Sequence, residues 1–377
     1  MNDLPPVGRV DDLPAVGYAG RADRVRQRFD EQALLVSNLT NVRWLTGFTG
    51  SNGWVAILPD RLVLGTDGRY RDRAEAELAR VGVEAQILTG FTRAEQHAQL
   101  IGTLRGISKV GAEASALTHA AWTSLAAEID IVPSDGHIEA ERRVKDAGEI
   151  ARIGEAARIA DVALAAVAPT LGDGLTEVDV RNELDHTMRR LGASGPSYDT
   201  IVASGPDNAA RPHHEPGTRR IVAGDTVVID VGALVDGYHS DMTRSYVVGD
   251  PSPEQQVIYD LVLEAQLAGL QAVSAGVAAR DLDAVCRGVF DDAGHLDWYM
   301  HGTGHGVGLL IHEDPFHNQT STQELLVGDV VTVEPGLYRS GFGGFRVEDL
   351  VVVTESGCRI LTETPKDSPC LPSRPTT

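Results

Sequence analysis

The sequence predicts a two-part chain, with an α/β domain over residues 21–140 and an α+β domain over 141–365. Three observations predict it. Short apolar runs alternate with helical patterns in the first stretch. A long helical pattern opens the second. A turn-and-strand segment beginning at Gly224 is then echoed by one beginning at Gly328, and each copy ends in a carboxylate.

In the first stretch Ala33–Val36, Trp54–Leu58 and Arg61–Leu64 read as strands. Arg71–Arg80, Ala94–Leu104 and Thr118–Ile129 read as helices. After the Pro133–Gly136 break, Ile150, Ile153, Ala157, Ala160, Leu164 and Val167 recur at steps of three and four, one face of a helix. Thr176-Glu177-Val178-Asp179 resembles a capping box. Ser252-Pro253-Glu254-Gln255 is a better one, with proline at the first helical position. Gly276 and Gly294 are the expected stops of that helix and the next. Residues 1–20, rich in Pro, Gly and Asp, and the tail 366–377 are expected to be mobile.

The chain has 377 residues, 42% of them hydrophobic, enough to build full cores. Lys plus Arg number 33 against 54 Asp plus Glu, a net charge of −21. That balance argues against nucleic acid or an anionic membrane as partner. The first residues lack an apolar signal region, and no apolar run approaches the roughly 20 residues of a membrane helix. The three cysteines are widely spaced and form no framework or zinc pattern. The expected location is cytoplasmic.

Gly224-Asp225-Thr226-Val227-Val228-Ile229-Asp230 is matched by Gly328-Asp329-Val330-Val331-Thr332-Val333-Glu334. Each copy is followed by a glycine-containing turn and a second strand, carrying Asp241 in one case and Glu348 in the other. A turn at Asp236-Gly237 brings Asp230 roughly opposite Asp241. Gly341 is the midpoint between Glu334 and Glu348, so these two can also meet. Strand alternation puts Arg346 on the face of Glu348 and turns Asp349 away. Asp225, Asp236 and Asp329 read as turn formers.

Four carboxylates converging without a cation would be costly, so such a cluster must take up protons or bind metal. Two unit charges about 4 Å apart repel by about 4 kcal/mol at an effective dielectric near 20. Two divalent ions would neutralise the cluster, and carboxylate with imidazole suits Mn, Co, Zn or Fe(II). His301-Gly302-Thr303-Gly304-His305-Gly306-Val307-Gly308 supplies an imidazole among glycines. His312-Glu313 is not an HExxH motif, because His317 lies one residue too far. No CxxC pair, GxSxG elbow or P-loop is present. His97, His119, His137, His186 and His295 read as surface or helix-packing residues.

At these residues the chain resembles the pita-bread metallopeptidases, the family of methionine aminopeptidase, aminopeptidase P and prolidase. Five segments agree in order and spacing between about residues 141 and 362: Ser204-Gly205 through Pro212-His213-His214, Asp230-Val231-Gly232 with Ser240-Asp241-Met242-Thr243-Arg244, the glycine-rich 301–306 loop, Glu334-Pro335-Gly336, and Arg346-Val347-Glu348-Asp349. The resemblance implies a pita-bread catalytic domain with metal ligands Asp230, Asp241, His305, Glu334 and Glu348. It also implies that His213 and His312 line the substrate site. The gap of 14 residues between the two glutamates and the Arg-Val-Glu-Asp motif look like the aminopeptidase P and prolidase branch. Asn41-Val42-Arg43-Trp44-Leu45-Thr46-Gly47-Phe48 and Thr66-Asp67-Gly68-Arg69-Tyr70 resemble that branch's creatinase-like N-terminal domain.

The implied activity is hydrolysis of X-Pro bonds, in dipeptides or at the N-terminus of peptides, by two divalent ions per chain, Mn2+ first among them. Glu334 would shuttle the proton of the attacking water. His312 would donate to the developing oxyanion or to the substrate backbone, and His213 would contact the residue after the cut. Arg346 is expected to fork onto a substrate carboxylate or carbonyl, with pairing to a nearby carboxylate as its other reading. Tyr338 is a further substrate-side candidate. Proline-containing peptides are the expected partners and a homodimer the expected assembly. A non-catalytic binding protein on the same fold is the alternative; loss of ligands would favour it, and none is lost.

Overall fold

The computed structural model describes residues 10–373. It divides into two compact units, one of residues 16–142 and one of residues 143–373 with 10–15. The expected mobility of residues 1–9 and 374–377 lies outside the described residues. Among the described residues no helix is long and apolar enough to cross a membrane.

The first unit is a six-stranded sheet in the order Gln86–Gly90, Leu62–Asp67, Gly53–Ile57, Ala33–Val36, Val110–Ala112, Ile131–Pro133. Gly53–Ile57 runs antiparallel to both neighbours, and the remaining pairs are parallel. Ala33–Val36 is buried at every position, as a central strand covered on both faces must be. Helices Arg71–Val81 and His119–Ala126 make two of the crossovers between parallel neighbours. The helix expected over Thr118–Ile129 stops at Ala126. Three helices, Arg21–Arg26, Leu39–Thr46 and His137–Arg142, were not expected; Asn38 caps the second through Thr40 N–H, and Gly47 ends it at φ 72°.

The second unit opens with the helix Ala147–Val167, capped by an Asp146/Glu149 box. Its apolar face, with Ile159 and Leu164, packs on Leu184 and Met188 of helix Glu177–Arg190 and on Val227 and Ile229. The boxes at Thr176/Asp179 and Ser252/Gln255 both form. Helix Pro253–Ala272 packs beside Ala279–Asp292.

The two hairpins have the same construction. In the first, Asp230 pairs with Thr243 and Thr226 with Val247. Asp236 and Gly237, both at positive φ, make its turn, and Val235 faces Tyr238 across it. In the second, Val333 pairs with Asp349 and Gly336 with Arg346. The turns that open the copies match bond for bond. Gly224 and Gly328 adopt φ 86° and 91°. Asp225 accepts the N–H of Val222 and a guanidinium hydrogen of Arg219; Asp329 accepts the N–H of Leu326 and one of Arg143.

Both segments read as loose are fastened where they are described. Pro14 O accepts from Arg152 Nη1 at 2.8 Å. Lys366 pairs with Asp349, and Val247 N–H donates to Pro369 O. A buried guanidinium and a buried carboxylate each draw in the polar groups of the neighbouring segment, which composition does not reveal.

Leu184 is fully buried, whereas Val257 is 61% exposed. Leu184→Ala should cost about 2–5 kcal/mol, and Val257→Ala should stay within about 0.5 kcal/mol. Urea denaturation of the two variants checks the contrast.

Candidate metal centre

His305 sits in the short strand Gly304–Gly306, between Glu313–His317 and Val330–Val333. The flanking glycines are required by contact. A Cβ on Gly304 would lie 2.2 Å from Thr332 O, and one on Gly306 2.3 Å from Asp314 O. The imidazole Nδ1 lies 3.0 Å from Gly306 O. A carbonyl only accepts, so Nδ1 carries the hydrogen and Nε2 presents its lone pair. That lone pair faces Asp241 Oδ2 at 3.4 Å and Glu334 Oε1 at 3.5 Å.

Asp241, His305 and Glu348 each offer a ligand atom, and these atoms lie within 4.8 Å of one another. Asp230 and Glu334 line the same cavity of about 310 Å³ as His305. Burial, then the charges of Asp230 and Glu334, push the Asp241 carboxyl well above the usual range. Burial, then Asp241 and Glu334, do the same to Glu348. Burial raises Glu334 as well and lowers the His305 imidazole below its ordinary value. Glu348 Oε1 is buried with no hydrogen-bond partner. Lone pairs thus crowd around one point, with too few hydrogens between them to satisfy all of them. The donor set fits a divalent cation with oxygen and imidazole ligands.

Arg346 takes a different place from the substrate fork expected of it. It is only 3% exposed. Nε donates to Thr243 Oγ1, Nη1 to Pro212 O and to Tyr338 OH, and Nη2 to Asp230 Oδ2 at 2.6 Å. Four of its five N–H bonds therefore end on protein acceptors, and the residue braces the cluster. The other reading, pairing with a carboxylate, is met by Asp230 and not by the sequence neighbour Asp349, which pairs with Arg244 and Lys366. Tyr338 is buried with its hydroxyl between Arg346 and His301, so it supports the site from beneath rather than meeting substrate. His213 is exposed and lines the cavity. His312 is exposed, its ring edge-on to His305 with centroids 4.4 Å apart.

Three residues were given no role in the site by the sequence reading. The Tyr198 hydroxyl meets both Asp230 and Asp241, one hydrogen for two carboxylates. His301 lines the cavity and reaches Tyr338 OH at 3.1 Å. Glu177, read only as part of a cap, is fully buried and accepts from Ser204 N–H and Oγ–H, Asn208 Nδ2, His214 Nε2 and Gly217 N–H. Burial works to raise its carboxyl, yet the bonds from Asn208, Ser204 and His214 outweigh it and hold the group below the usual range. Glu177 thereby fixes the segment that carries His213. The one available signal was its place beside a box already closed by Asp179.

The carboxylate-rich centre between the two duplicated hairpins is a candidate site for divalent cations, and comparison with known proteins gives the class. Residues 151–355 match the model of metallopeptidase family M24, and residues 21–144 match the creatinase/prolidase N-terminal domain. The chain belongs to metallopeptidase family M24. It is 36% identical over 359 residues to the uncharacterized peptidase YqhT of Bacillus subtilis, covering 92% of this chain and 99% of that one. The Xaa-Pro dipeptidase from Bacillus anthracis superposes with a TM-score of 0.90 at 36% identity, covering 94% of this chain and all of that one. The X-Pro aminopeptidase from Thermotoga maritima does so at 0.84 and 32%, covering 93% and 100%.

Asp241→Ala removes a carboxylate directly opposite the His305 lone pair. Its affinity for Mn2+ should fall by at least about a hundredfold, the upper end of what outer-shell partners of a metal cost. Elemental analysis after equilibration with Mn2+ checks this, and wild-type metal content would contradict it.

Proposed function

We propose that this chain hydrolyses the peptide bond preceding proline, in dipeptides or at the N-terminus of longer peptides. Asp230, Asp241, His305, Glu334 and Glu348 would hold the metal ions. The single observation that carries the reading is that His305 has ligand atoms of Asp241 and Glu348 within 4.8 Å and shares with Asp230 and Glu334 a cavity whose other walls include Ile201, Pro212 and Phe316. The names of the relatives support the choice of bond. Two divalent ions, Mn2+ foremost, would supply Lewis-acid polarisation of the scissile carbonyl and a nucleophile at neutral pH. We extend the reading to a homodimer and to the cytoplasm, the assembly and location expected from the sequence.

The protein's own groups complete the reaction. An X-Pro bond is a tertiary amide without N–H, so a site that demanded that hydrogen would reject it. The apolar wall suits the pyrrolidine ring instead, and the His213 ring flanks the residue after the cut. Glu334 faces the cavity with its side chain 19% exposed, so solvent reaches it. It takes one proton from the attacking water as oxygen bonds to carbonyl carbon. The same proton then passes to the proline nitrogen as the C–N bond breaks, leaving an acid and a secondary amine. His312, on the open side of His305, donates to the oxygen that gains charge.

Ala-Pro and Ala-Ala separate this reading from a broad peptidase. kcat/KM should favour Ala-Pro by at least about tenfold, about 1.4 kcal/mol of transition-state preference. Equal values on both would overturn the proline assignment.

Arg346→Ala should lower kcat about ten- to a hundredfold, because it frees Asp230 and Tyr338 together. The loss should be the same for Ala-Pro and its C-terminal amide, with KM nearly unchanged. A rise in KM confined to Ala-Pro would restore the substrate-carboxylate role.

A further inference from the structure

Thr303, two residues before His305, is fully buried and bonded in four directions. Its hydroxyl donates to Asp283 Oδ1 at 3.0 Å. That engages the only hydrogen it has, so the Tyr299 hydroxyl at 2.7 Å donates to Thr303 in turn. The Thr303 N–H is shared between Asp283 Oδ1 at 3.1 Å and His317 O at 2.8 Å. Its carbonyl accepts the Glu334 N–H at 2.8 Å. One residue thus couples a helix to the backbone of two candidate ligands, His305 by sequence and Glu334 by hydrogen bond.

The helix Ala279–Asp292 supplies the anchor. Asp283 is completely buried, and Arg287, one turn later on the same face, donates to it from Nε at 2.5 Å. Arg287 Nη2 also donates to His301 O at 2.6 Å, and its guanidinium lies 4.5 Å from the centre of the Tyr299 ring. The pair therefore clamps the 301–303 turn at both ends. Burying an ion pair seldom adds stability over apolar packing, so fixing a register is its best-attested use. Here the thing registered is the loop that aims His305 Nε2.

We propose that Asp283 and Arg287 are positioning residues of the metal centre, acting through Thr303 to fix His305 and Glu334 relative to each other. The inference rests on the five-ligand reading above. Sites of this kind tolerate displacements of only about 0.5 Å. The loss of one hydroxyl at Thr303 should therefore be felt by the metal rather than by the fold.

The test is titration of the apoprotein with Co2+, followed by its visible absorption and by calorimetry, with apoprotein melting measured alongside. Thr303→Val keeps the shape and removes the hydroxyl, and Asp283→Asn removes the charge. Both should weaken Co2+ binding about ten- to a hundredfold and alter its spectrum, the scale of outer-shell effects. Thr303→Ser, which keeps the hydroxyl, should retain wild-type affinity and spectrum. Wild-type Co2+ affinity in both Thr303→Val and Asp283→Asn would overturn the proposal. So would a loss that follows apoprotein melting and persists in Thr303→Ser. Failure of the wild type itself to bind Co2+ would instead sink the five-ligand reading, and this inference with it.

Discussion

Asp230, Asp241, Glu334 and Glu348 meet where the protein offers too few hydrogens to satisfy them. Tyr198 brings one hydrogen to two of the carboxylates, Thr243 brings one to Glu348, and Arg346 neutralises Asp230. What remains is an excess of negative charge in a region with little water, where like charges repel most strongly. The surrounding architecture answers that excess. The glycines beside His305 admit its ring to the centre of the cluster. Arg346 lies under it, itself held by Tyr338 and Pro212 O. One residue beyond Glu348, the Asp349 charge is turned away to Arg244 and Lys366 and so kept apart from the cluster.

Much of this was legible in the sequence where the information is local. The strand Ala33–Val36, the face of Ala147–Val167 and two capping boxes follow from spacing and cap residues alone. The hairpin registers follow from turn chemistry, since Asp236-Gly237 sets one and Gly341 centres the other. The helix Leu39–Thr46 was passed over because it has only eight residues and its start rests on one asparagine. What could not be read is which distant segment covers a given side chain. Glu177 looks like a solvent-facing helix start until residues 204–217 fold over it. Tyr198 sits outside any periodic element. The face of Arg346 was correctly inferred, but its partners Asp230 and Pro212 lie more than a hundred residues earlier, and alternation along one strand does not name them.

The duplication is retained in bonds as well as letters. Each copy begins at a left-handed glycine followed by an aspartate that accepts from the residue three before it and from an arginine. The copies differ in what comes next. The first ends in short aspartates approached by Tyr198, the second in longer glutamates that reach His305 and Thr243. Two reaches aimed at one point from opposite hairpins let unlike side chains share a centre.

That arrangement has a consequence for how the chain acquires its shape. The copies lie roughly a hundred residues apart, so their docking is a long-range event and late in any folding order that favours local contacts. Each hairpin alone holds a pair of acids with nothing to bind them tightly, and bringing the pairs together is opposed by their charge. A cation bound after docking would remove that opposition, and its binding energy would become folding energy. The ion would then serve as the clasp of the assembled unit, and its retention would report that both halves of the duplication have found each other.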